Sequence, residues 1–197
     1  MQEGKAAYST TKDVLRNLLG EDLPADGTFD PSDPRFQFQD RLSEVRRHLG
    51  EMTENDLMAM DELTSPTHLQ LMRFYNHLAF ISYFVRPDML KWFTARLVEL
   101  SLEHGVSKYS AAALVRFAMT LDTNEGYRIG KMGISLLQRF DAIDQLPSIF
   151  LSFYGYIAIY VEPLQVCNSF KLCFECVTSE TTAHRPHSLL FLAAVLS

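Results

Sequence analysis

Helix breakers are scarce in this sequence, with 9 glycines and 8 prolines among 197 residues. Together with a hydrophobic content of 47%, that scarcity excludes a low-complexity chain and fits an ordered globular one. A strand-like alternation of apolar and polar residues is also missing from Ser65 to Pro163, so nothing there points to a sheet. Lysine and arginine form no cluster and the formal net charge is -6, which argues against nucleic acid as a partner. Only three cysteines occur and none has an evident mate, which suits a reducing compartment. The opening MQEGKAAYSTTKDV has a basic residue but no apolar run behind it, so no secretory signal is expected and the chain is placed in the cytoplasm. The longest uncharged run, Gln145 to Val161, contains Pro147, Ser148, Ser152 and Gly155 and falls short of the ~20 apolar residues that cross a bilayer. No membrane span is expected. A helix that is apolar all round is usually buried between neighbours. Ser148, Ser152, Gly155 and Ala158 would line one side of it with small residues, as in the central helix of a stack.

What remains is one helical pattern after another, in a chain long enough to bury about 70% of its unfolded surface. Lys5 to Leu19 carries Val14, Leu15, Leu18 and Leu19 and stops at Gly20. Leu23 to Arg35, rich in proline and aspartate, reads as a loop. A helical pattern resumes from Arg35 to Leu49 and is expected to stop at Gly50, and Thr53 to Asp56 supplies cap chemistry for a short turn. Ser65 before Pro66 starts a helix with the stripe Leu71, Phe74, Leu78 and Ile81. Pro87 opens another, in which Leu90, Phe93, Leu97 and Leu100 form the apolar stripe and Arg96, Glu99 and Glu103 a solvated face, up to Gly105. Ser107 is expected to cap a third and Asn124 a fourth running to Phe140. Gly126, Gly130 and Gly133 share one stripe of that fourth helix at a cost of ~1 kcal/mol each relative to alanine, which close approach of a neighbouring helix would compensate. Short connections make successive helices antiparallel neighbours. The fold class expected is therefore all-α, stacked antiparallel helical hairpins in the manner of a tetratricopeptide-like α-solenoid. Residues 1–64 would hold the N-terminal helices and loop, 65–177 the core stack, and 178–197 a divergent tail.

The run LVELSLEHGVSKYSAAALVRFAM, Leu97 to Met119, followed by EGYRIGKMGISLLQRFDA, Glu125 to Ala142, resembles the helical region of large multidomain signalling proteins. Those proteins join a serine/threonine kinase-like domain, an AAA or STAND-type ATPase and a long tetratricopeptide-like region to histidine kinase or other output domains. The resemblance is carried by Leu100-Ser101-Leu102, His104-Gly105, Ser107, Ser110-Ala111, Gly126-Tyr127, Gly130, Leu136-Leu137, Arg139-Phe140 and Pro163-Leu164, with Val14-Leu15, Leu23-Pro24 and Met60 to Pro66 upstream. It spans Thr11 to Leu164 and consists of packing motifs. Two departures stand out: the tryptophan expected before the proline element is replaced around Tyr160, and an acidic element expected after Val177 is missing. The resemblance implies a non-catalytic scaffold, a piece of a longer protein, whose concave face binds protein partners or relays a signal to neighbouring kinase and ATPase domains. A stack cut from its neighbours would expose apolar ends, such as Leu189 to Leu196, and self-associate through them.

Two alternatives stay open, a free-standing helical adaptor and a metal-dependent enzyme. The second would use Cys173, Cys176, His184 and His187, a Cys-x-x-Cys and His-x-x-His pair that resembles a zinc arrangement. A finger normally has ~12 residues between its pairs and a wider histidine spacing. The plainer reading makes Cys173 and Cys176 small apolar residues beside Phe170 and Phe174 and leaves the histidines in a polar loop, so no metal is assigned. Gly126-x-x-x-Gly130-Lys131 falls one residue short of a phosphate loop and has Met132 where the magnesium-binding hydroxyl is required. His68, His77 and His104 look scattered, with no nucleophile beside them. Neither a catalytic residue nor a cofactor is assigned.

Overall fold

The computed structural model describes residues 2–21, 23, 38–142 and 145–161. These residues form α1 (Gln2–Leu19), α2 (Phe38–Glu51), α3 (Glu54–Ala59), α4 (Pro66–Val85), α5 (Leu90–His104), α6 (Lys108–Ala118), α7 (Thr123–Phe140) and α8 (Leu146–Tyr156). Short 3-10 turns at Pro87–Met89 and Ala158–Tyr160 precede α5 and follow α8. The chain is all-α, and no strand occurs among the described residues. Most of the loop from Leu23 to Arg35, and everything after Val161, lies outside them.

Small polar side chains set several helix starts by taking up backbone N–H groups that have no helical partner. Thr53 Oγ1 accepts from the Asp56 N–H while the Thr53 N–H donates to Asp56 Oδ2 at 2.9 Å, a reciprocal cap on α3. Ser65 precedes Pro66 at the start of α4 and accepts from the His68 N–H. Ser107 and Ser110 form a similar box on α6. The cap on α7 is Asp122, which accepts from the Glu125 N–H, and Asn124 lies inside the helix instead. Aspartate wins because the charged oxygen also complements the positive end of the helix dipole. α2 runs through Gly50 to Glu51, since a glycine stops a helix only where the chain takes a left-handed turn. Gly20 and Gly105 do take one, with φ of 69° and 103°.

The helices pack largely in chain order. α4 contacts α1, α5 and α6; α6 contacts α5, α7 and α8; α2 lies on α5 and α3 on α7. The centre belongs to α5 and α6, where every residue from Ser110 to Ala118 is buried. Phe93 and Phe117 are fully buried, and burial of such a side chain stabilises by about 1.5–3 kcal/mol. The Gln145 to Val161 run does not take that place among the described helices: α8 contacts α6 and α7 and leaves Tyr156, Ile159, Tyr160 and Val161 exposed. On α4 the buried positions are Leu71, Met72, Tyr75, Leu78, Ala79 and Ser82, while Phe74 and Ile81 sit at the margin.

The three glycines of α7 meet α6 and α8 as their spacing suggested. A Cβ on Gly126 would lie 2.6 Å from the Ala118 carbonyl oxygen, and one on Gly133 would lie 3.0 Å from that of Ala111. One on Gly130 would strike the Phe153 ring of α8 at 2.5 Å. Backbone thus approaches backbone along the α6–α7 seam, and dispersion contacts offset the intrinsic cost of glycine. Gly105 is constrained twice, by its positive φ and by a Cβ position 2.6 Å from the Asp61 carbonyl oxygen. There Leu63 N–H donates to Val106 O and Val106 N–H to Asp61 O, each at 2.9 Å, tying the approach to α4 to the α5–α6 turn.

Candidate functional site

α4 presents Arg73, Asn76, His77 and Phe80 at i, i+3, i+4 and i+7, one helical face opposite its buried stripe. α6 brings Lys108, Tyr109 and Arg116 against that face, and Gln145 at the start of α8 closes one side. The cleft between them has a volume of about 530 Å³. Its described lining contains two arginines, a lysine and a histidine and no carboxylate, in a chain whose net charge is -6.

Arg116 forms the floor. It is only 7% exposed, and its Nη1 donates to Asn76 Oδ1 at 2.6 Å. Burial pulls its guanidinium down to about 10, since a low-dielectric wall disfavours the charged form. Desolvation, then the charges of Arg73 and Arg116, hold the His77 imidazole below its ordinary value, although its outer edge meets solvent. Beyond Arg116 and Phe80 the cleft continues into an apolar slot of about 70 Å³ lined by Ala79, Tyr83, Phe84, Leu90, Met119, Ser152 and Tyr156. The Tyr83 and Tyr156 hydroxyls hydrogen-bond across its mouth and join α4 to α8.

No known protein family, curated protein or solved structure matches this chain.

A second charged cluster draws on α4 as well, and its character differs. Tyr75, fully buried, donates to Glu21 Oε2 at 2.6 Å. Arg96 Nη2 lies 3.4 Å from Glu21 Oε1 and its Nη1 lies 3.1 Å from Glu99 Oε2, while Arg41 Nη1 reaches the same Glu99 oxygen at 2.5 Å. Burial, and then Glu21, push the Tyr75 phenol far above its ordinary value. Burial also opposes the Arg96 charge, yet Glu21, Tyr75 and Glu99 outweigh it and hold the guanidinium above its usual range. For Glu99 burial prevails over Arg41 and Arg96 and raises the carboxyl. The side chains of Arg96 and Glu99 are 18% and 17% exposed, so this part of the solvated face expected for α5 is instead a half-buried junction with α2 and the end of α1, while Glu103 is exposed as expected. Arg128 and Arg139 of α7 do related work: Arg128 donates to the Leu49 and Met52 carbonyls at 2.8 and 3.1 Å, and Arg139 donates to that of Met58 at 3.1 Å. Arginine thereby satisfies carbonyls left open at the end of α2 and in α3.

Cys173, Cys176, His184 and His187 lie outside the described residues. Among the described residues no group of three or more His, Cys, Asp or Glu is placed to hold a metal ion. No helix described is long and apolar enough to cross a membrane. Gly126, Gly130 and Lys131 lie inside α7 with both glycines packed against neighbouring helices, so they form no phosphate loop. His68 and His104 are not scattered: their rings stack 3.9 Å apart where α4 begins and α5 ends, and Glu103 Oε2 lies 3.6 Å from His104 Nε2. Arg73, Asn76, Lys108 and Arg116 were not anticipated. One sign was available, since Arg116 is the only charged residue from Ser110 to Ala118 in a helix otherwise small and apolar.

Proposed function

We propose that this chain is a non-catalytic helical scaffold, a tetratricopeptide-like segment of a larger kinase and ATPase signalling protein, whose α4–α8 end receives an amphipathic helical hairpin of that protein. What supports the reading first is an exposed apolar patch at that end. Phe80, Tyr83, Phe84, Tyr156, Ile159, Tyr160 and Val161 are the large hydrophobic side chains exposed among the described residues, and they belong to the last turns of α4, the end of α8 and the 3-10 turn that follows it. Phe84 and Tyr160 are 68% and 76% exposed. Scattered apolar side chains need no explanation, whereas a contiguous group marks an interaction surface. The packing order also favours stacked hairpins, with α1, α4, α6 and α8 succeeding one another and α5 and α7 joining consecutive members. The occupant is taken to be helical because the slot beside Phe84 is narrow and apolar, suited to single side chains presented at i and i+3 or i+4.

Two measurements test the reading. An antibody raised against this segment should detect, in extract of the source cells, a product several times larger than 22.5 kDa. A band at 22.5 kDa would overturn the larger-protein assignment and leave a free-standing adaptor. Expressed alone, the 197-residue chain should self-associate with rising concentration in sedimentation experiments, and Phe84→Asp should shift it toward monomer. A wild-type chain that stays monomeric at the highest attainable concentration would remove the exposed patch as a docking end.

A further inference from the structure

We propose that α2 and α3 form a releasable strap, and that the channel they cover on α5 and α7 docks a basic amphipathic helix of a partner protein in their place. This surface is distinct from the docking end at α4 and α8. The ground for the proposal is how the strap is held. Its buried apolar side chains are Val45, Leu49 and Leu57, with Leu42, Met52 and Met58 packed at the margin. α5 buries eight of its fifteen residues, so the apolar grip of the strap is thin by comparison. Units with few buried apolar contacts are the ones that open before the rest of a fold.

Polar contacts supply the remainder of the hold. Arg41 Nη1 reaches Glu99 Oε2 on α5 at 2.5 Å, and Arg96 also contacts that carboxylate. Arg46 Nη2 lies 2.5 Å from Glu125 Oε2 and 3.1 Å from Asp122 Oδ2 at the start of α7. From the other side Arg128 and Arg139 donate to strap carbonyls, and Ser135 Oγ donates to Glu54 Oε1 at 2.5 Å. The Arg46 and Asp122 side chains are 54% and 62% exposed, so dissolved salt weakens their contact. Just past the strap, the Leu63 N–H donates to Val106 O and fixes the chain at the α5–α6 turn. Release is thereby confined to the residues before Leu63.

The strap itself shows what the channel accepts. Glu99, Glu125 and Asp122 face Arg41 and Arg46, five residues apart on α2, while Arg128 takes up carbonyls at the end of the same helix. Val45 and Leu49, one turn apart, supply the apolar face. A partner helix with this pattern meets charges of opposite sign along the channel and lays its apolar pair into it, the helix-in-groove mode of recognition. Such a helix competes with the strap, so its apparent affinity follows the fraction of molecules in which the strap is open.

The experiment is hydrogen exchange of the full chain, joined to binding of a synthetic peptide of residues 38–60. The strap amides should exchange faster than those of α4 and α6, and about threefold faster again when salt rises from about 0.05 to 0.5 M. Ala79→Gly, in the buried face of α4 and away from the strap, should speed exchange in α4 and α6 about fivefold and leave the strap unchanged. The peptide should bind saturably, and Arg41→Gln with Arg46→Gln in the peptide should weaken it about tenfold. Arg46→Gln in the chain should instead tighten peptide binding about threefold, because a loosened strap leaves the channel open more often. Phe84→Asp, at the other docking end, should not alter it. Strap amides that respond to Ala79→Gly as strongly as those of α4 would overturn the proposal, since the strap would then open only with the whole fold. Peptide binding that is absent, indifferent to the arginine changes or abolished by Phe84→Asp would overturn it as well.

Discussion

Two charged clusters draw on α4, and they are built on opposite principles. Around Tyr75 each carboxylate lies beside an arginine: Glu21 beside Arg96, and Glu99 between Arg96 and Arg41. These groups come from α2, α4, α5 and the end of α1, so the cluster ties elements together. Around Arg116 the charges that converge have one sign, and the described lining supplies no carboxylate. The first arrangement recovers in mutual attraction part of what burial costs, and loss of one member leaves others buried without compensation. In the second, Arg116 donates to the Asn76 amide oxygen at 2.6 Å and burial draws its guanidinium below the usual range, whereas Glu21, Tyr75 and Glu99 hold that of Arg96 above it.

The comparison is broken most severely by Arg96→Met. Glu21 and Glu99 would each lose a cation in a half-buried setting, and the loss should be about 3 kcal/mol by urea denaturation. Glu21→Gln is milder, because the amide oxygen can still accept from Tyr75 and only the charge facing Arg96 is removed. A loss of about 1 kcal/mol is expected from the same measurement. Comparing the two separates the ion pair from the phenol hydrogen bond.

The smallest effect is a pH dependence that sharpens the other side of the comparison. His77 titrates lower in the folded chain than in the unfolded one, so as pH falls the unfolded chain takes up the proton first. Stability contributed by this group is therefore complete above an ordinary histidine value of about 6.5 and declines below it, until the folded imidazole protonates too. His77→Asn should make the urea midpoint fall less between about pH 7 and pH 5.5 than it does in the wild type. An unchanged slope would show that neither burial nor the charges of Arg73 and Arg116 hold the His77 imidazole down.

Helix starts were legible because their causes are local. Ser65 with Pro66, Ser107 and Thr53 need only neighbours within three residues, and Gly105 announces a left-handed stop at the end of α5. The α7 glycine stripe was legible for a related reason, since a repeated sacrifice of helix propensity implies a close neighbour. Arg96 and Glu99 were misread because their burial depends on Glu21 and Arg41, which lie 75 and 58 residues away from their partners in sequence. Periodicity on one helix cannot tell a solvated charge from one covered by another element. The cleft was missed for the same reason: Arg73 and His77 stand on a polar face of α4, and only the packing of α6 on α4 brings Lys108 and Arg116 to them. Asn124 was a local error, in which two nearby cap-forming residues competed and the acidic one, Asp122, two positions earlier, prevailed.

Equilibrium urea unfolding of Arg96→Met beside Arg116→Met tests the contrast between the clusters most directly. Arg96→Met is expected to cost more, about 3 kcal/mol, because it leaves Glu21 and Glu99 half-buried without that cation, whereas burial already works against the Arg116 charge. An equal or larger loss for Arg116→Met would contradict the account.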